Sequence, residues 1–384
     1  MHKTILPIGP QHPSLKEPIY LELEVDGTEV YKANFNLGYA HRGVEKALEG
    51  LGLDPGLHSV QRTCGICSYC HGFAFMRAVE DIAGIMVNDR VKLQRVILAE
   101  MERIHSHLVA LGFMLHELGL ETLFMYFWRE REHILDVFDE LTGNRVQHSA
   151  DLIGTMKMGF TREDVRFCLE KLELIQNEIK DLTEVLMKNE VIRSRTVGKG
   201  IISAKTINEF GLVGPVARSS GVDRDIRIID PYGAYKEVGL KSIVKDGKDA
   251  WTRTIIKCEE IFESTKAVKK ACEMIPFDQS MPKKLWKPVP DGHATGRVEA
   301  PRGENFHFIM VEGNKIKRAK IKTPTLSNVI YFSKILEGVD ITDVPILIMS
   351  MDPCISCMDR VAVIKDGKRE EWTSHELTQG KKNV

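Results

Sequence analysis

Apolar residues follow two different periods along this chain, and these periods divide it into short strands and long helices. On both sides of Asp26-Gly27 the stretch 18–36 alternates apolar with polar residues, which predicts a β-hairpin with one buried face. From 89 to 118, leucine, isoleucine and methionine recur at steps of three and four residues and form one apolar stripe. A helix of that length is expected in the core of a bundle.

The helical period returns in three more stretches, 121–141, 162–188 and 250–275. Thr161 is the predicted N-cap of the second of these helices, and Asp164 stands where a capping box usually has Glu or Gln. Helices should therefore supply most of the buried core.

The stretch from 192 to 238 is rich in Gly, Ser and Arg and keeps no period, which predicts loops that line a cleft. A second hairpin is predicted within 296–322, and a helix at 326–337 and a short apolar strand at 344–349 follow it. No repeat or flexible linker interrupts the sequence. We therefore predict an α+β fold, mainly α, with a helical-bundle core, small antiparallel sheets at its margin and one domain over 1–360.

The composition is that of a globular protein and narrows the classes of partner. The 384 residues are 43% hydrophobic and 28% charged, with a formal net charge of -1, so no basic surface for nucleic acid is expected. The apolar stretch at the start of the sequence is too short for a signal peptide, and no later run has the roughly 18 apolar residues of a membrane span. We expect a cytoplasmic chain that associates with the inner face of the cell membrane through partner subunits.

Two Cys-x-x-Cys pairs, Cys64 with Cys67 and Cys354 with Cys357, lie near opposite ends of the chain. Each pair can turn both sulfurs toward one point, so bringing the ends together would create a four-thiolate site for a soft metal. The spacing alone leaves a structural zinc site open. Cys70 follows closely but has no matching partner in the second half of the chain, and it is not expected to be a ligand.

The surroundings of the two pairs favour ionised sulfurs. Pro353 predicts the first turn of a helix, which would place the second pair near amides and the positive end of a helix dipole. Arg62 and Arg360 flank the pairs and would further favour thiolates. The three remaining cysteines, Cys168, Cys258 and Cys272, lie in helical stretches and are expected to be small core residues.

Five stretches, spread over nearly the whole chain, together resemble one family. In order they are Gly9-Pro10-Gln11-His12-Pro13, Arg42-Gly43-Val44-Glu45, Arg62-Thr63-Cys64-Gly65-Ile66-Cys67 with His71, Glu299-Ala300-Pro301-Arg302-Gly303-Glu304, and Asp352-Pro353-Cys354-Ile355-Ser356-Cys357-Met358-Asp359-Arg360. The chain resembles the large, catalytic subunit of a [NiFe]-hydrogenase, and more narrowly the membrane-bound, energy-converting branch related to the 49-kDa-type subunit of respiratory complex I.

The resemblance implies a NiFe centre that interconverts H2 with protons and electrons. By it, Cys64 and Cys354 would bind nickel alone, and Cys67 and Cys357 would bridge nickel to an iron that carries CO and CN ligands. An iron–sulfur small subunit with a [4Fe-4S] cluster, ferredoxin and ion-translocating membrane subunits are the implied partners. Two rivals remain: a zinc-stapled scaffold subunit, and a quinone-site subunit of the complex I type, which in that family lacks the metal cysteines.

The resemblance also assigns roles beside the metal. Pro301 and Arg302 would lie against the diatomic ligands, and the guanidinium of Arg302 would face the open coordination position. Asp352 would hold that arginine. From the residues alone, Arg302 could equally be a surface ion-pair residue in a Pro-Arg-Gly turn, and Asp352 could be the N-cap of a helix at Pro353.

Two further residues are candidates for proton transfer or support. The resemblance gives Glu45 the role of exchanging protons with a nickel-bound cysteine, although a Glu in the first turn of an amphipathic helix is more often a solvated charge. His71 would either brace the first cysteine loop or titrate. Arg360 stands where many uptake hydrogenases have a metal-binding His, so no further metal is expected, and the family implies that 361–384 is an extension cut off during maturation.

Overall fold

The computed structural model describes residues 4–284 and 287–359, and the backbone of the two strands at 363–365 and 368–370. Arg360 and the rest of the tail lie outside the described residues. The helices are α1 Val44–Leu48, α2 Leu53–Gln61, α3 Ser68–Ala83, α4 Asp89–Glu117, α5 Glu121–Thr142, α6 Arg162–Lys188, α7 Glu190–Thr196, α8 Ala204–Phe210, α9 Pro215–Arg218, α10 Ile226–Ile229, α11 Tyr235–Val238, α12 Ala250–Met274, α13 Pro324–Asn328, α14 Phe332–Ile335 and α15 Val344–Met351. The strands are β1 Thr4–Ile8, β2 Tyr20–Asp26, β3 Glu29–Asn36, β4 Asp151–Leu152, β5 Thr155–Met156, β6 Gly292–Ala300, β7 Gly303–Glu312, β8 Lys315–Lys322, β9 Val363–Lys365 and β10 Lys368–Glu370. None of the described helices is both long enough and apolar enough to span a membrane.

The long helix α4 lies at the centre of the molecule, where it packs against α5, α12, α15 and α3. Its apolar stripe is buried, and much of its polar face is buried too because neighbours cover it on several sides. The four predicted long helices are confirmed within a residue or two of their predicted ends. Thr161 caps α6 and forms a capping box with Asp164, as predicted. The predicted class, a helical core with small antiparallel sheets, is confirmed.

Two three-stranded antiparallel sheets lie against this core. The predicted first hairpin is β2–β3, and β1 adds a third strand beside β2. The predicted second hairpin is β7–β8, and β6 pairs along the other edge of β7. Both hairpins are thus confirmed, but the third strand of each sheet is additional: β1 pairs with β2 across a connection of 11 residues, and β6 joins β7 through the tight turn at Pro301-Arg302.

Helix α3 lies unusually close to the second sheet, and one glycine permits this approach. A Cβ atom on Gly296 would lie 1.8 Å from the carbonyl oxygen of Ala74. Gly296 is also the β6 partner of His307 on β7. The first turn of α3 and the buried face of β7 are therefore brought together at this level of the sheet.

Three predictions near the C-terminal half were wrong or incomplete. The apolar run 344–349 is part of α15, a helix packed against α4 and α12, because a short apolar run does not distinguish a buried strand from a buried helix. The stretch 326–337 is broken into α13, a short 3₁₀ turn and α14. Five short helices interrupt the predicted loops of 192–238.

Candidate metal centre

The two Cys-x-x-Cys pairs meet inside the fold. The Sγ atoms of Cys64 and Cys354 are 3.3 Å apart, those of Cys67 and Cys357 are 3.7 Å apart, and those of Cys354 and Cys357 are 3.2 Å apart. All four side chains are at most 5% exposed. Cysteines separated by 290 residues therefore form one buried sulfur cluster.

The spacing of the sulfurs fits a common metal. Sulfurs held about 2.3 Å from one metal in a tetrahedron would lie about 3.8 Å apart, slightly farther than most of the pairs observed here. The sulfurs of Cys64, Cys354 and Cys357 form one group with metal-binding proximity, and Cys67, His71 and Cys357 form another. The donors are mainly soft thiolates, which suit nickel, iron or zinc.

Hydrogen bonds among the thiols favour the ionisation of one sulfur over that of the others. Bonds from Cys354, Cys357 and Cys67 hold the pKa of Cys64 well below its usual value. Its sulfur also faces the amides of Ile66 and Cys67, at 3.3 and 3.2 Å. The bonds with Cys354, Cys64 and Cys67 raise the pKa of Cys357. A bound cation would compensate the charges that the remaining thiols acquire on ionisation.

The first cysteine loop leads directly into α3. The carboxylate of Glu102, on α4, accepts the amides of Tyr69 and Cys70 at 2.6 and 2.9 Å, at the start of that helix. Cys70 itself is buried and belongs to neither group of potential metal ligands among the described residues. Cys168, Cys258 and Cys272 are buried in α6 and α12.

The second loop does not begin as predicted. Helix α15 ends at Asp352, whose φ of 52° turns the chain, and Pro353 lies in the connection after it. Only a single 3₁₀ turn, Ile355–Cys357, follows. The prediction of a helix that starts at Pro353 was therefore wrong, and with it the predicted N-cap role of Asp352.

A carboxylate occupies the amides that the predicted helix start would have turned toward the sulfurs. Glu17, from the segment between β1 and β2, accepts the amides of Ile355 and Ser356 at 2.5 and 2.9 Å, and it also accepts the hydroxyl of Ser356. These amides therefore point at Glu17, and the positive end of the turn is neutralised there.

Arg42 joins the two cysteine loops. Its guanidinium donates to the carbonyls of Arg62, Thr63 and Ser356, at 2.9, 2.6 and 2.8 Å. Arg62, the residue expected to favour the thiolates, instead donates to the carbonyl of His58 and the hydroxyl of Ser149. Asp359 completes the junction, because its carboxylate accepts the backbone amides of residues 42–44.

The structure brings Arg302 and Asp352 together in the interior. Arg302 donates to the carboxylate of Asp352 at 2.7 Å and to its carbonyl at 2.8 Å, and it donates to Ser106 Oγ at 2.8 Å. Burial alone would lower the pKa of Arg302, but Asp352 and the cysteine sulfurs hold it above its usual value. Arg302 is therefore a fixed buried cation and lies in no surface ion pair.

A cavity of about 320 Å³ lies in front of these groups. Cys64, Cys354, Arg302 and Asp352 form its polar end, and apolar residues of α4, including Phe113, form its sides. Pro301 is buried in the turn between β6 and β7 that carries Arg302. The cavity thus connects an apolar space to one sulfur of each pair and to the guanidinium.

Glu45 and His71 both contact the second sheet, Glu45 at β8 and His71 at β7. Glu45, in α1, accepts the amide of Ile321 at 2.8 Å and Lys320 Nζ at 3.0 Å. His71, in the first turn of α3, places Nε2 3.7 Å from Cys357 Sγ. Its contact is therefore with the second cysteine pair, and burial lowers its pKa to about 4.

Sequence reasoning missed several residues at this site. Arg42 and Asp359 lie within the family-like stretches, but no role was assigned to them. Glu17 and His307 gave no signal, because each acts through a contact with a part of the chain more than 200 residues away. His12 is exposed and bonds locally to Ser14.

Comparison with known proteins places this site in a family. Residues 117–288 and 283–360 match the family described as "Respiratory-chain NADH dehydrogenase, 49 Kd subunit", and residues 42–119 match "Nickel-dependent hydrogenase". The chain belongs to the family that joins 49-kDa-type subunits of respiratory complex I to the large subunits of nickel-dependent hydrogenases, in its membrane-bound, energy-converting branch. It is therefore a member of a family of oxidoreductase subunits.

Particular relatives come from both sides of that family. The chain is 34% identical to the membrane-bound hydrogenase subunit alpha of Pyrococcus furiosus, over 97% of this chain and 91% of the relative. It is 32% identical to formate hydrogenlyase subunit 5 of Escherichia coli, over 96% of this chain but only 65% of that longer protein. It is also 32% identical to a component of the NADH-quinone oxidoreductase of Dehalococcoides mccartyi, over 93% of this chain and 98% of that one.

A solved structure shares the fold. A chain in the structure of the membrane-bound sulfane sulfur reductase, an archaeal respiratory membrane complex, superimposes with a TM-score of 0.88 at 28% identity. The match covers 94% of this chain and 98% of that one. Since relatives of this fold carry different names and reactions, the residues of the site must decide between functions.

Proposed function

We propose that this chain is the catalytic subunit of a membrane-bound [NiFe]-hydrogenase, which interconverts H2 with protons and electrons. The observation that carries this proposal is the buried cluster of four cysteine sulfurs, two from each end of the chain. A quinone-binding subunit has no need for four converging thiols, and a structural zinc site has no need for a buried guanidinium and a cavity beside them.

Four residues would hold the metals. Cys64 and Cys354 line the cavity and would hold nickel, and Cys67 and Cys357 would hold the iron that carries CO and CN together with nickel. When bound, the centre would supply a site for splitting H2 and for accepting its electrons. The lining of the cavity is largely apolar, which suits a small apolar substrate.

The protein groups around the sulfurs would orient and move protons. Arg302 is held by Asp352 and Ser106, so its guanidinium keeps one direction beside the cavity. Pro301 shapes the turn that presents it. Glu45 would exchange the proton with a cysteine, because a carboxyl group can both accept and release one.

The partners follow from the same proposal. The electrons would pass to a [4Fe-4S] cluster on a small subunit and on to ferredoxin, and ion-translocating membrane subunits would couple to the reaction. The chain would then be cytoplasmic and peripheral, on the inner face of the membrane. Domain 1–360 would be the mature subunit, and the extension 361–384 would be removed after nickel insertion; mass spectrometry of active, nickel-loaded protein would find it absent.

The decisive experiment is infrared spectroscopy of the purified complex, together with metal analysis. The proposal expects nickel and iron in equal amounts, bands from metal-bound CO and CN, and H2-dependent dye reduction. Cys354→Ser should lose nickel, whereas Cys258→Ser, which changes an equally buried core cysteine, should keep it. Zinc alone, with no such bands and no dye reduction, would instead establish a zinc-stapled scaffold subunit, and a metal-free site with bound quinone would establish the complex I type.

A further inference from the structure

A second buried histidine lies behind His71. His307 Nε2 is 3.1 Å from His71 Nδ1, on the side of that ring opposite Cys357. His307 belongs to the buried face of β7, and the missing side chain of its strand partner Gly296 lets α3 approach at this level. Cys357, His71 and His307 thus form a continuous chain of three polar groups in the interior.

The 3.1 Å contact between His71 Nδ1 and His307 Nε2 contains one proton, because neither two N–H groups nor two lone pairs can face each other at that distance. One ring therefore donates to the other. If Nδ1 of His71 is the acceptor, the proton of that ring is on Nε2, the nitrogen that faces the sulfur.

A neighbouring amide indicates the direction. Asn305 Nδ2 lies 3.4 Å from the carbonyl of Cys70, which can only accept, so this end of the amide is the NH2 group. The same NH2 group lies 3.5 Å from His71 Nδ1. At 3.5 Å this contact is too long for a strong hydrogen bond, but a second N–H at Nδ1 would face the NH2 group. Nδ1 is therefore an acceptor, and the shorter 3.1 Å bond from His307 is the one that holds it so.

We propose that His307 is a positioning residue that keeps the proton of His71 on Nε2, directed at Cys357. The remaining nitrogen of His307, Nδ1, has no hydrogen-bond partner among the described residues, so it is left as a bare acceptor. In the opposite arrangement it would be a buried, unpartnered N–H, and His71 would turn a lone pair toward a thiolate. A proton held on Nε2 instead donates to the sulfur and withdraws electron density from it.

This inference rests on the proposed NiFe centre, and it concerns the electron density at one bridging sulfur. A matched pair of variants tests it. His307→Gln keeps an N–H donor on a side chain of similar reach, whereas His307→Met has a similar shape without a donor. His293→Met replaces an exposed histidine of the same sheet and serves as the control.

The readout is the infrared position of the iron-bound CO band in the purified complex, together with the reduction potential of the centre. His307→Met should move the CO band to lower wavenumber and make the potential more negative, since the sulfur regains electron density. His307→Gln and His293→Met should leave both near the wild-type values. Loss of metal in the Met variant alone would also support a need for the donor.

Two results would overturn the inference. Equal shifts or equal metal loss in the Gln and Met variants would mean that the position matters for packing and the donor does not. An unchanged CO band and potential in His307→Met would mean that the hydrogen bond does not reach the sulfur. If wild-type protein shows no CO or CN bands at all, the proposed function fails first, and this result is distinct from the other two.

Discussion

Replacing Glu17 by Gln should loosen the second cysteine loop without disturbing the fold elsewhere. The carboxylate of Glu17 accepts two backbone amides and one hydroxyl from Ile355 and Ser356, whereas α13 holds the start of the loop through Thr325, which accepts the amide of Cys354 at 3.1 Å. A glutamine keeps one oxygen, but it turns an NH2 group toward a second donor. The variant therefore loses at least one hydrogen bond and the charge that strengthens the others.

The magnitude follows from these contacts. Hydrogen bonds to a charged group contribute about 1.5–3 kcal/mol each, and the half-buried position of Glu17 reduces this somewhat. We expect a local loss of about 2–4 kcal/mol, which corresponds to a roughly 30- to 800-fold increase in opening of the loop at 1.4 kcal/mol per factor of ten. The cysteines of that loop would then hold metal less tightly.

Hydrogen–deuterium exchange of the full chain measures this opening directly. The amides of Ile355 and Ser356 should exchange faster by about the factor given above, whereas peptides from α4 should be unchanged, and nickel content should fall. Glu24→Gln is the matched control, because Glu24 accepts a hydrogen bond from the exposed Lys32 on the first hairpin. Unaltered protection at 355–356 in the Glu17 variant would refute the idea that this carboxylate holds the loop.

Three other substitutions test different parts of the site. Arg302→Lys keeps the charge but cannot make the three directed bonds to Asp352 and Ser106, so H2-dependent dye reduction should fall about 100-fold or more with nickel retained; unchanged activity would contradict its proposed role. Glu45→Gln should abolish H2/D+ exchange and leave the infrared bands in place, with Glu49→Gln at the end of the same helix as control, and normal exchange would exclude Glu45 as the proton carrier. His148, stacked on Phe138, has its pKa lowered to about 4 by burial. The unfolded chain protonates it near pH 6.5, so it binds more protons than the folded protein between those values, and stability is lost as pH falls from 6.5 to 4. His148→Gln should therefore lower the free energy of unfolding by about 1 kcal/mol at pH 7, where only the stacking is lost. At pH 4.5 it should regain about 2.5 kcal/mol relative to wild type, because it has no histidine to protonate on unfolding. Urea denaturation measures both values, and the same difference between variant and wild type at the two pH values would contradict this.

The long helices could be predicted from sequence because each has a period and at least one end signal. Thr161 with Asp164 shows this most clearly, since the capping box seen in the structure is local to four residues. The sequence of α15 shows no such signal, because its residues are nearly all apolar. The helix is buried on several sides by α4 and α12, so it has no polar face from which a helical period could be recognised. The third strands were missed for other reasons: β1 is separated from its partner β2 by 11 residues, and β6, Gly-His-Ala-Thr-Gly-Arg-Val-Glu-Ala, lacks a clear apolar alternation.

The centre of the site was predictable for a different reason. Cys-x-x-Cys spacing is a local constraint on two sulfurs, so Cys64, Cys67, Cys354 and Cys357 could be grouped before their contact was seen. The residues that seat the loops could not be grouped in this way. Glu17 acts on amides, and Arg42 acts on carbonyls; nearly every residue has these groups, so no side-chain pattern points from the loop back to its partner.

The separation of the two cysteine pairs implies an order of assembly. The C-terminal loop is held by residues near the N-terminal end of the chain. Glu17 accepts hydrogen bonds from its amides, and Arg42 donates to one of its carbonyls and to carbonyls of the first loop. The amides of residues 42–44 donate to the carboxylate of Asp359. Closing a loop of this length costs chain entropy, so these contacts become favourable only when the intervening core is already folded. The first cysteine pair can therefore be in place while the second is still open.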